Sequence, residues 1–147
     1  MNRNFVEMLS ALFDAGADYL IVGAYALAAH GCPRATDDLD IWVQASRANA
    51  PRVRQAIENF GMPVDQITVD ELASSGLVLQ FGFAPQRIDV MTSVSGVTFD
   101  EAWPRRIYVD IEGRQHPVIG KEEFIRNKRA VGRPQDLVDA DVLAKKR

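Results

Sequence analysis

The stretch DDLDIWV, from Asp37 to Val43, contains the aspartates Asp38 and Asp40, which are separated by a single residue, and continues as an apolar run. In a strand, alternate side chains share a face, so Asp38 and Asp40 would project together with Cα atoms about 6 to 7 Å apart. Neighbouring like charges raise one another's pKa and are costly to ionise together. A divalent cation relieves this repulsion, and hard oxygen ligands favour Mg²⁺ or Mn²⁺. The stretch therefore predicts a metal-binding pair, and carboxylates that merely cap a strand end are the alternative.

The Asp-x-Asp pattern by itself is weak, because the chain has 13 aspartates and the pattern recurs at Asp139 and Asp141. The second pair falls in a segment with helical character, PQDLVDADVLAKK. Positions two apart on a helix diverge, so this pair cannot clamp one ion in the same way. We expect Asp139 and Asp141 to lie on a solvated helix face.

Two further features strengthen the first pair. The apolar segment YLIV runs into Gly23 and then into an alanine-rich helix, an order that directs free backbone N–H groups at an anion such as phosphate. Asp89, between Ile88 and Val90, is a polar residue on an apolar strand. Three carboxylates on neighbouring strands beside a phosphate cradle make one candidate site. Alternatively, Asp89 pairs with Arg87 on the same strand face and is structural.

Alternating helical and strand patterns must position these residues. The first helix is predicted over residues 3 to 15, and it would bury Phe5, Met8, Leu9, Leu12 and Phe13. Later helices are predicted after Gly23, from Ser46 to Gly61, and in KEEFIRNKRAVG and PQDLVDADVLAKK. Predicted strands are DYLIVG, DLDIWVQ, the hairpin GLVLQFGF and QRIDVMTS around APQ, and the pair RRIYVDI and HPVIG around EGRQ. This order predicts an α/β (α+β) fold, a small mixed sheet with helices packed against it, in a single domain over residues 1–147.

Composition limits the class of protein. The chain has 147 residues, 47% of them hydrophobic, and a net charge of −3, which argues against a broad basic surface for nucleic acid. Cys32 is the only cysteine, which excludes an internal disulfide and a cysteine-based zinc cluster. No run approaches the roughly 18 apolar residues of a membrane span, and Glu7 interrupts the N-terminal apolar stretch. We expect a cytoplasmic protein.

The combination of motifs resembles a known group of proteins. The order of strand, Gly23, helix, RATDDLDI and a later strand carboxylate is similar to the nucleotidyltransferase superfamily that includes DNA polymerase beta. The likeness is greatest to its small bacterial branch of aminoglycoside and lincosamide nucleotidyltransferases and toxin–antitoxin or abortive-infection proteins. The tail NKRAVGRPQDLVDADVL also resembles a segment common in that branch. The likeness spans roughly Asp18 to Leu143.

This resemblance implies a nucleotidyltransferase-like core that moves a nucleoside monophosphate from a nucleoside triphosphate to a hydroxyl of a small molecule, a protein or an RNA. It implies Mg²⁺ or Mn²⁺ as cofactor. The resemblance implies that Asp38, Asp40 and Asp89 bind the metal, with Asp89 also a candidate general base, and that Gly23 and Ala24 form a phosphate-binding turn. Arg34 and Thr36 match the family pattern and are candidate nucleotide-binding residues. The positive charge of the C-terminal tail adds Lys128 to these candidates. For Thr36 a turn role, and for Lys128 a solvated helix face, are the alternatives.

Two departures from the family pattern suggest a second function. Ala24 stands where the family usually has Gly or Ser, so a hydroxyl that could touch a phosphate is missing. The chain also ends soon after the core, whereas family enzymes often carry another domain. A homodimer or a partner protein would then complete the acceptor site. The alternative function is a catalytically weak nucleotide-binding module or an antitoxin-like interaction module with the same fold.

Overall fold

The computed structural model describes residues 1–83 and 86–147. Within them, six strands form one sheet: β1 (Tyr19–Val22), β2 (Asp38–Val43), β3 (Val78–Phe83), β4 (Gln86–Met91), β5 (Ile107–Ile111) and β6 (Arg114–Val118), in the order β3-β4-β2-β1-β6-β5. Strand β1 pairs antiparallel with β2 and parallel with β6, and β2 pairs parallel with β4. The sheet is therefore mixed, and the predicted α/β fold is confirmed.

Two antiparallel hairpins, β3–β4 and β5–β6, form the two ends of the sheet. The predicted turn at APQ lies, apart from Gln86, outside the described residues. The turn predicted at EGRQ is shorter in the structure and consists of Glu112 and Gly113, whose φ angles are 52° and 87°. Positive φ at both central residues matches the right-handed twist of the flanking strands, and Gly113 adopts it without steric cost.

The helices of the described residues are α1 (Arg3–Asp14), α2 (Gly23–Ala29), α3 (Ala50–Phe60), α4 (Val69–Leu72), α5 (Phe99–Ala102), α6 (Lys121–Val131) and α7 (Pro134–Lys145). Helix α1 packs against α3, and α6 against α7. The short helices α4 and α5 each begin with a Thr-x-x-Glu capping box, at Thr68 and Thr98. No helix in the described part of the chain is both long enough and apolar enough to span a membrane.

The helix predicted with Ser46 as its cap begins later than expected, at Ala50. The Ser46 hydroxyl accepts a hydrogen bond from the Asn49 N–H at 3.1 Å, and its carbonyl accepts one from the Ala50 N–H at 2.9 Å, so Ser46 closes the turn that leads into the helix. The buried Asn49 side chain also bonds the backbone N–H and carbonyl of Asp18 at 2.7 and 2.9 Å. These contacts join the turn before α3 to the chain before β1.

The prediction that Phe13 lies on the buried face of α1 is also wrong, since Phe13 is 46% exposed. Phe5 and Leu12 are buried as expected. One residue advances a helix by about 100°, so Phe13 lies at the edge of the buried stripe. The Arg114 guanidinium lies 4.8 Å from the Phe13 ring centroid and covers part of the ring.

Candidate active site

Three carboxylates lie on one face of the sheet where β2 and β4 run side by side. The parallel register pairs Asp40 with Asp89, and Asp38 with Arg87. Paired residues on adjacent strands point to the same face, with strands about 4.8 Å apart. On the opposite face of β2, Leu39 is fully buried. The structure thus brings together the three aspartates that the sequence analysis selected.

Arg87 lies among these carboxylates and pairs with two of them. Its Nε is 2.8 Å from Asp89 Oδ1, and its guanidinium is 3.5 Å from Asp38 Oδ2. Its backbone N–H also donates to Asp38 Oδ1 at 3.3 Å. Within residues 1–83 and 86–147, no three His, Cys, Asp or Glu side chains converge closely enough to hold one ion as they stand. In this conformation Arg87 supplies the positive charge that Asp38 and Asp89 require.

Of the three carboxylates, Asp40 is the one whose negative charge is least offset by neighbouring positive charge. Burial and the neighbouring Asp89 charge raise the pKa of Asp40 to about 6, although Lys128 and Arg87 oppose the rise. Loss of water around a carboxylate disfavours its charged form, and a nearby negative charge does the same. The site therefore disfavours a third negative charge in the absence of a further cation.

Gly23 contacts Asp40 so closely that a larger residue would displace the Asp40 carboxylate. Val22 pairs with Asp40 across β1 and β2, and Gly23 follows with φ of 70°. A Cβ atom at Gly23 would overlap the Asp40 carboxylate. Ala24, the next residue, is buried in the first turn of α2. The first turn of a helix leaves backbone N–H groups without intrahelical partners, and here that turn begins beside Asp40.

Two cavities meet at Asp40. The first, of about 400 Å³, is lined by residues that include Gly23, Asp89, Ser93, Asn127 and Lys128. The second, of about 410 Å³, is lined by residues that include Ala24, Arg34, Thr36 and Asp38. Asp40, Lys128 and Arg133 line both. All eight residues predicted from the sequence thus lie along this pair of cavities.

Thr36 and Arg34 have structural partners within the site. The Thr36 hydroxyl is 3.3 Å from both the N–H and the carbonyl of Asp38, which fits the turn role. The Arg34 guanidinium makes a two-pronged contact with Asp139, at 3.1 Å from Nε to Oδ1 and 3.0 Å to Oδ2. The prediction that Asp139 is solvated is wrong, since it is 2% exposed, whereas the side chain of Asp141 is 63% exposed as expected.

Sequence reasoning missed several residues around the cavities. Ser93, Ser95 and Asn127 line the first cavity, and the Asn127 side chain donates to the Ser95 carbonyl at 2.9 Å. Asp136 lies in the second cavity beside Lys128. A signal for Asp136 was present, because Asp136 and Asp139 are three residues apart and must share a helix face.

The similarity of this chain to known proteins is found in their three-dimensional structures and not in their sequences. No family model and no curated protein sequence matches the chain. A lincosamide antibiotic adenylyltransferase with lincomycin bound is 14% identical, with a TM-score of 0.61 over 99% of this chain and 97% of that one. ANT(2'')-Ia in complex with adenylyl-2''-tobramycin is 17% identical, with a TM-score of 0.60 over 95% and 84%. An antigenic nucleotidyltransferase-like protein from Paracoccidioides brasiliensis is 17% identical, with a TM-score of 0.54 over 95% and 74%.

These neighbours share one architecture and match this chain over nearly its whole length. At such low identity the likeness concerns the fold. The fold implied by the sequence resemblance is confirmed, and this chain has the nucleotidyltransferase fold.

Proposed function

We propose that the protein transfers a nucleoside monophosphate from a nucleoside triphosphate to a hydroxyl acceptor. The observation that carries this proposal is the placement of Asp38, Asp40 and Asp89 on one sheet face beside Gly23, in a nucleotidyltransferase fold. Nucleotidyl transfer needs the α-phosphate held in line between the attacking hydroxyl and the departing pyrophosphate, so positioning and charge neutralisation are the main tasks of the protein.

The residues present fit Mg²⁺ or Mn²⁺ in the proposed site. Carboxylate oxygens are the hard ligands that these ions prefer. Burial and the neighbouring Asp89 charge raise the pKa of Asp40, and a cation beside the carboxylate would offset both effects. Asp38, Asp40 and Asp89 would hold the ions, whose chemistry in such sites is to offset phosphate charge and to make a hydroxyl more acidic. The Arg87 side chain would then release Asp38 or Asp89.

The remaining residues act on the nucleotide and on the proton. The backbone at Gly23 and Ala24, in the first turn of α2, offers N–H groups to the phosphates. Arg34, Lys128 and Arg133 add positive charge along the second cavity. Asp89, which lines the first cavity, is the proposed acceptor of the proton from the attacking hydroxyl.

The acceptor is proposed to be a small molecule with a free hydroxyl group. The structural neighbours named for lincomycin and for adenylyl-2''-tobramycin support this choice. The first cavity has room for part of such a molecule beside Asp89. The alternative acceptor is an RNA or a protein. The alternative form of the acceptor site is one completed by a second copy of the chain or by a separate partner protein.

The proposal is tested by incubating the protein with each labelled nucleoside triphosphate, magnesium and cell extract. We expect one triphosphate to yield a labelled product. Asp40→Asn should abolish the label, whereas Asp141→Asn, an exposed change of the same kind, should leave it intact. Equal labelling by the parent and Asp40→Asn would contradict the proposal.

A nucleotide-binding module without turnover is the second candidate. Two observations favour it: Arg87 occupies two of the three carboxylates, and Ala24 lacks a hydroxyl. This candidate predicts that nucleoside triphosphate with magnesium raises the melting temperature although no labelled product forms. If no triphosphate shifts the melting temperature at millimolar concentration, both nucleotide-dependent functions fail and an antitoxin-like interaction role gains support.

A further inference from the structure

Helix α7 directs two carboxylates inward. The side chains of Asp136 and Asp139 are 4% and 3% exposed, while Leu137 and Val138 on the same helix are exposed. Residues three apart share a helix face, so the two carboxylates lie on one stripe of α7. A helix that packs only to bury apolar surface would have the reverse arrangement. The inward carboxylates therefore need another explanation.

Asp139 holds Arg34. The Arg34 Nε donates to Asp139 Oδ1 at 3.1 Å and its NH2 group donates to Oδ2 at 3.0 Å, so both carboxylate oxygens are engaged by the planar guanidinium. The Gln135 side-chain amide donates to Oδ1 at 2.8 Å from the preceding turn. A two-pronged contact of this kind fixes the direction of the guanidinium as well as its position.

Asp136 holds two cations from the end of α6 and the start of α7. The Arg133 Nε donates to its Oδ2 at 2.7 Å, and the Lys128 Nζ lies 3.4 Å from its Oδ1. Lys128 itself is only 12% exposed. Burial opposes ionisation of Asp136, but its contacts with Arg133 and Lys128 outweigh this effect and lower its pKa. Asp136 thus carries the charge that both cations require.

The cations held in this way face one cavity. Arg34, Lys128 and Arg133 all line the cavity that also contains Asp38 and Asp40. Long cationic side chains lose rotamer freedom when they bind a ligand, and prior fixation removes that cost from the binding step. A buried carboxylate behind each cation provides such fixation.

We propose that Asp136 and Asp139 are positioning residues that hold Lys128, Arg133 and Arg34 ready to bind the phosphates beyond the α-phosphate of a nucleoside triphosphate. The proposal rests on the function proposed above and specifies its ligand as a polyphosphate chain. The site should consequently favour triphosphates over monophosphates, because only the longer chain reaches the held cations.

Charge alone predicts the opposite effect of removing these aspartates. Replacing Asp139 or Asp136 by Asn makes the cavity more positive, so a purely electrostatic account predicts tighter binding of a polyanion. Loss of positioning predicts weaker binding, because the freed cations turn toward solvent and must be ordered again by the ligand. The direction of the change therefore separates the two accounts.

The experiment measures binding of inorganic tripolyphosphate and of each nucleoside triphosphate and monophosphate by calorimetry, in excess magnesium. For Asp136→Asn and Asp139→Asn we expect the affinity for tripolyphosphate to fall about tenfold or more, as it does for metal affinity when a residue that orients a metal ligand is removed. Asp141→Asn, the same change on the exposed side of α7, should match the parent. In the transfer assay the KM for the triphosphate should rise more than kcat falls.

A second variant, which keeps all charges, tests the inference if the asparagine variants do not fold. Arg34→Lys retains the positive charge but cannot make the two-pronged contact with Asp139, so it should also weaken tripolyphosphate binding. Unchanged or tighter binding by the variants, or no tripolyphosphate binding by the parent, overturns the inference. If the parent binds tripolyphosphate and the variants lose it while no nucleotidyl product forms, the proposed function fails and the inference stands.

Discussion

Asp40 is a carboxylate whose ionisation the fold opposes. Gly23 contacts it from the start of α2, Asp89 lies across from it on β4, and the Lys128 charge does not offset its burial. Carboxylates whose ionisation is unfavourable are common at functional sites, where a bound ligand supplies the compensating charge. The proposed metal site therefore makes predictions about stability as well as about activity.

Replacement of Asp40 by Asn should stabilise the metal-free protein. The pKa rises from 3.8 to about 6 on folding, so the folded protein binds the proton more tightly and loses stability as pH rises through this interval. The loss is at most about 3 kcal/mol above pH 6, and Asn removes it. Urea denaturation in chelator between pH 4 and pH 7.5 measures this difference. An Asp40→Asn protein that is less stable than the parent at pH 7.5 would show that the carboxylate serves a structural hydrogen-bonding role instead.

Gly23 and Gly16 offer a matched comparison of backbone and contact effects. Both have φ of 70°, but a Cβ atom meets Asp40 at Gly23 and nothing within 4 Å at Gly16. Each alanine substitution should cost about 1 kcal/mol for the left-handed backbone. Gly23→Ala should cost more than Gly16→Ala and should weaken nucleotide binding, because the Asp40 carboxylate must move. Thermal melts with and without nucleotide test this, and equal losses at the two positions would count against the close contact.

At the level of elements, a buried hydrogen bond joins β1 to β6, which share a short parallel ladder. Tyr19 Oη lies 2.6 Å from His116 Nδ1, and both residues are buried. Burial raises the pKa of Tyr19, and burial together with the Arg114 charge lowers the pKa of His116. Both groups are therefore neutral near pH 7, and the hydrogen bond joins two uncharged side chains.

Tyr19→Phe removes this bond and leaves Nδ1 without its buried partner. We expect a loss of about 1 to 2 kcal/mol in the free energy of unfolding, measured by urea denaturation at pH 7.5. Tyr108→Phe is the control, since Tyr108 is 52% exposed and its hydroxyl accepts a hydrogen bond from the half-buried Arg106 at 2.7 Å. Its effect should stay within about 0.5 kcal/mol. Equal effects of the two substitutions would show that the Tyr19 hydroxyl contributes nothing to joining the strands.

The elements were predictable to different degrees, for identifiable physical reasons. Alternation around Leu39 correctly separated the polar and apolar faces of β2, since strand periodicity is local. The capping boxes at Thr68 and Thr98 can be recognised in the sequence, but the helices that they begin are a single turn long and have no apolar periodicity. In α7 the usual rule fails, because Asp139 points inward and Val138 outward. Only the position of Arg34, over 100 residues earlier, explains that reversal.

At the scale of the whole molecule, the site depends on strand order. Strand β2 lies between β1 and β4, so Asp40 meets Gly23 on one side and Asp89 on the other. Resemblance to a known superfamily indicated which residues belong together. Alternation along β4 did predict the contact between Arg87 and Asp89. Periodicity alone could not order the strands, nor could it bring Asp38 to Arg87, because both depend on contacts between distant segments.

Magnesium should stabilise the whole molecule to an extent that depends on pH. A ligand that binds only the folded state stabilises it by mass action, and the carboxylates bind a cation only when they are ionised. Because the pKa of Asp40 is about 6, protons compete with the ion at pH 5 and no longer do so at pH 7.5. The rise in melting temperature on replacing chelator with millimolar magnesium should therefore be larger at pH 7.5 than at pH 5.

Asp40→Asn provides the control for this comparison, because it removes both the charge and the titrating group. Its melting temperature should respond less to magnesium, and the remaining response should differ little between the two pH values. Non-specific binding of magnesium to the other surface carboxylates would shift the parent and the variant alike. Identical magnesium responses of the two proteins at both pH values would exclude Asp40 as a ligand, and with it the metal site on which the proposed transfer depends.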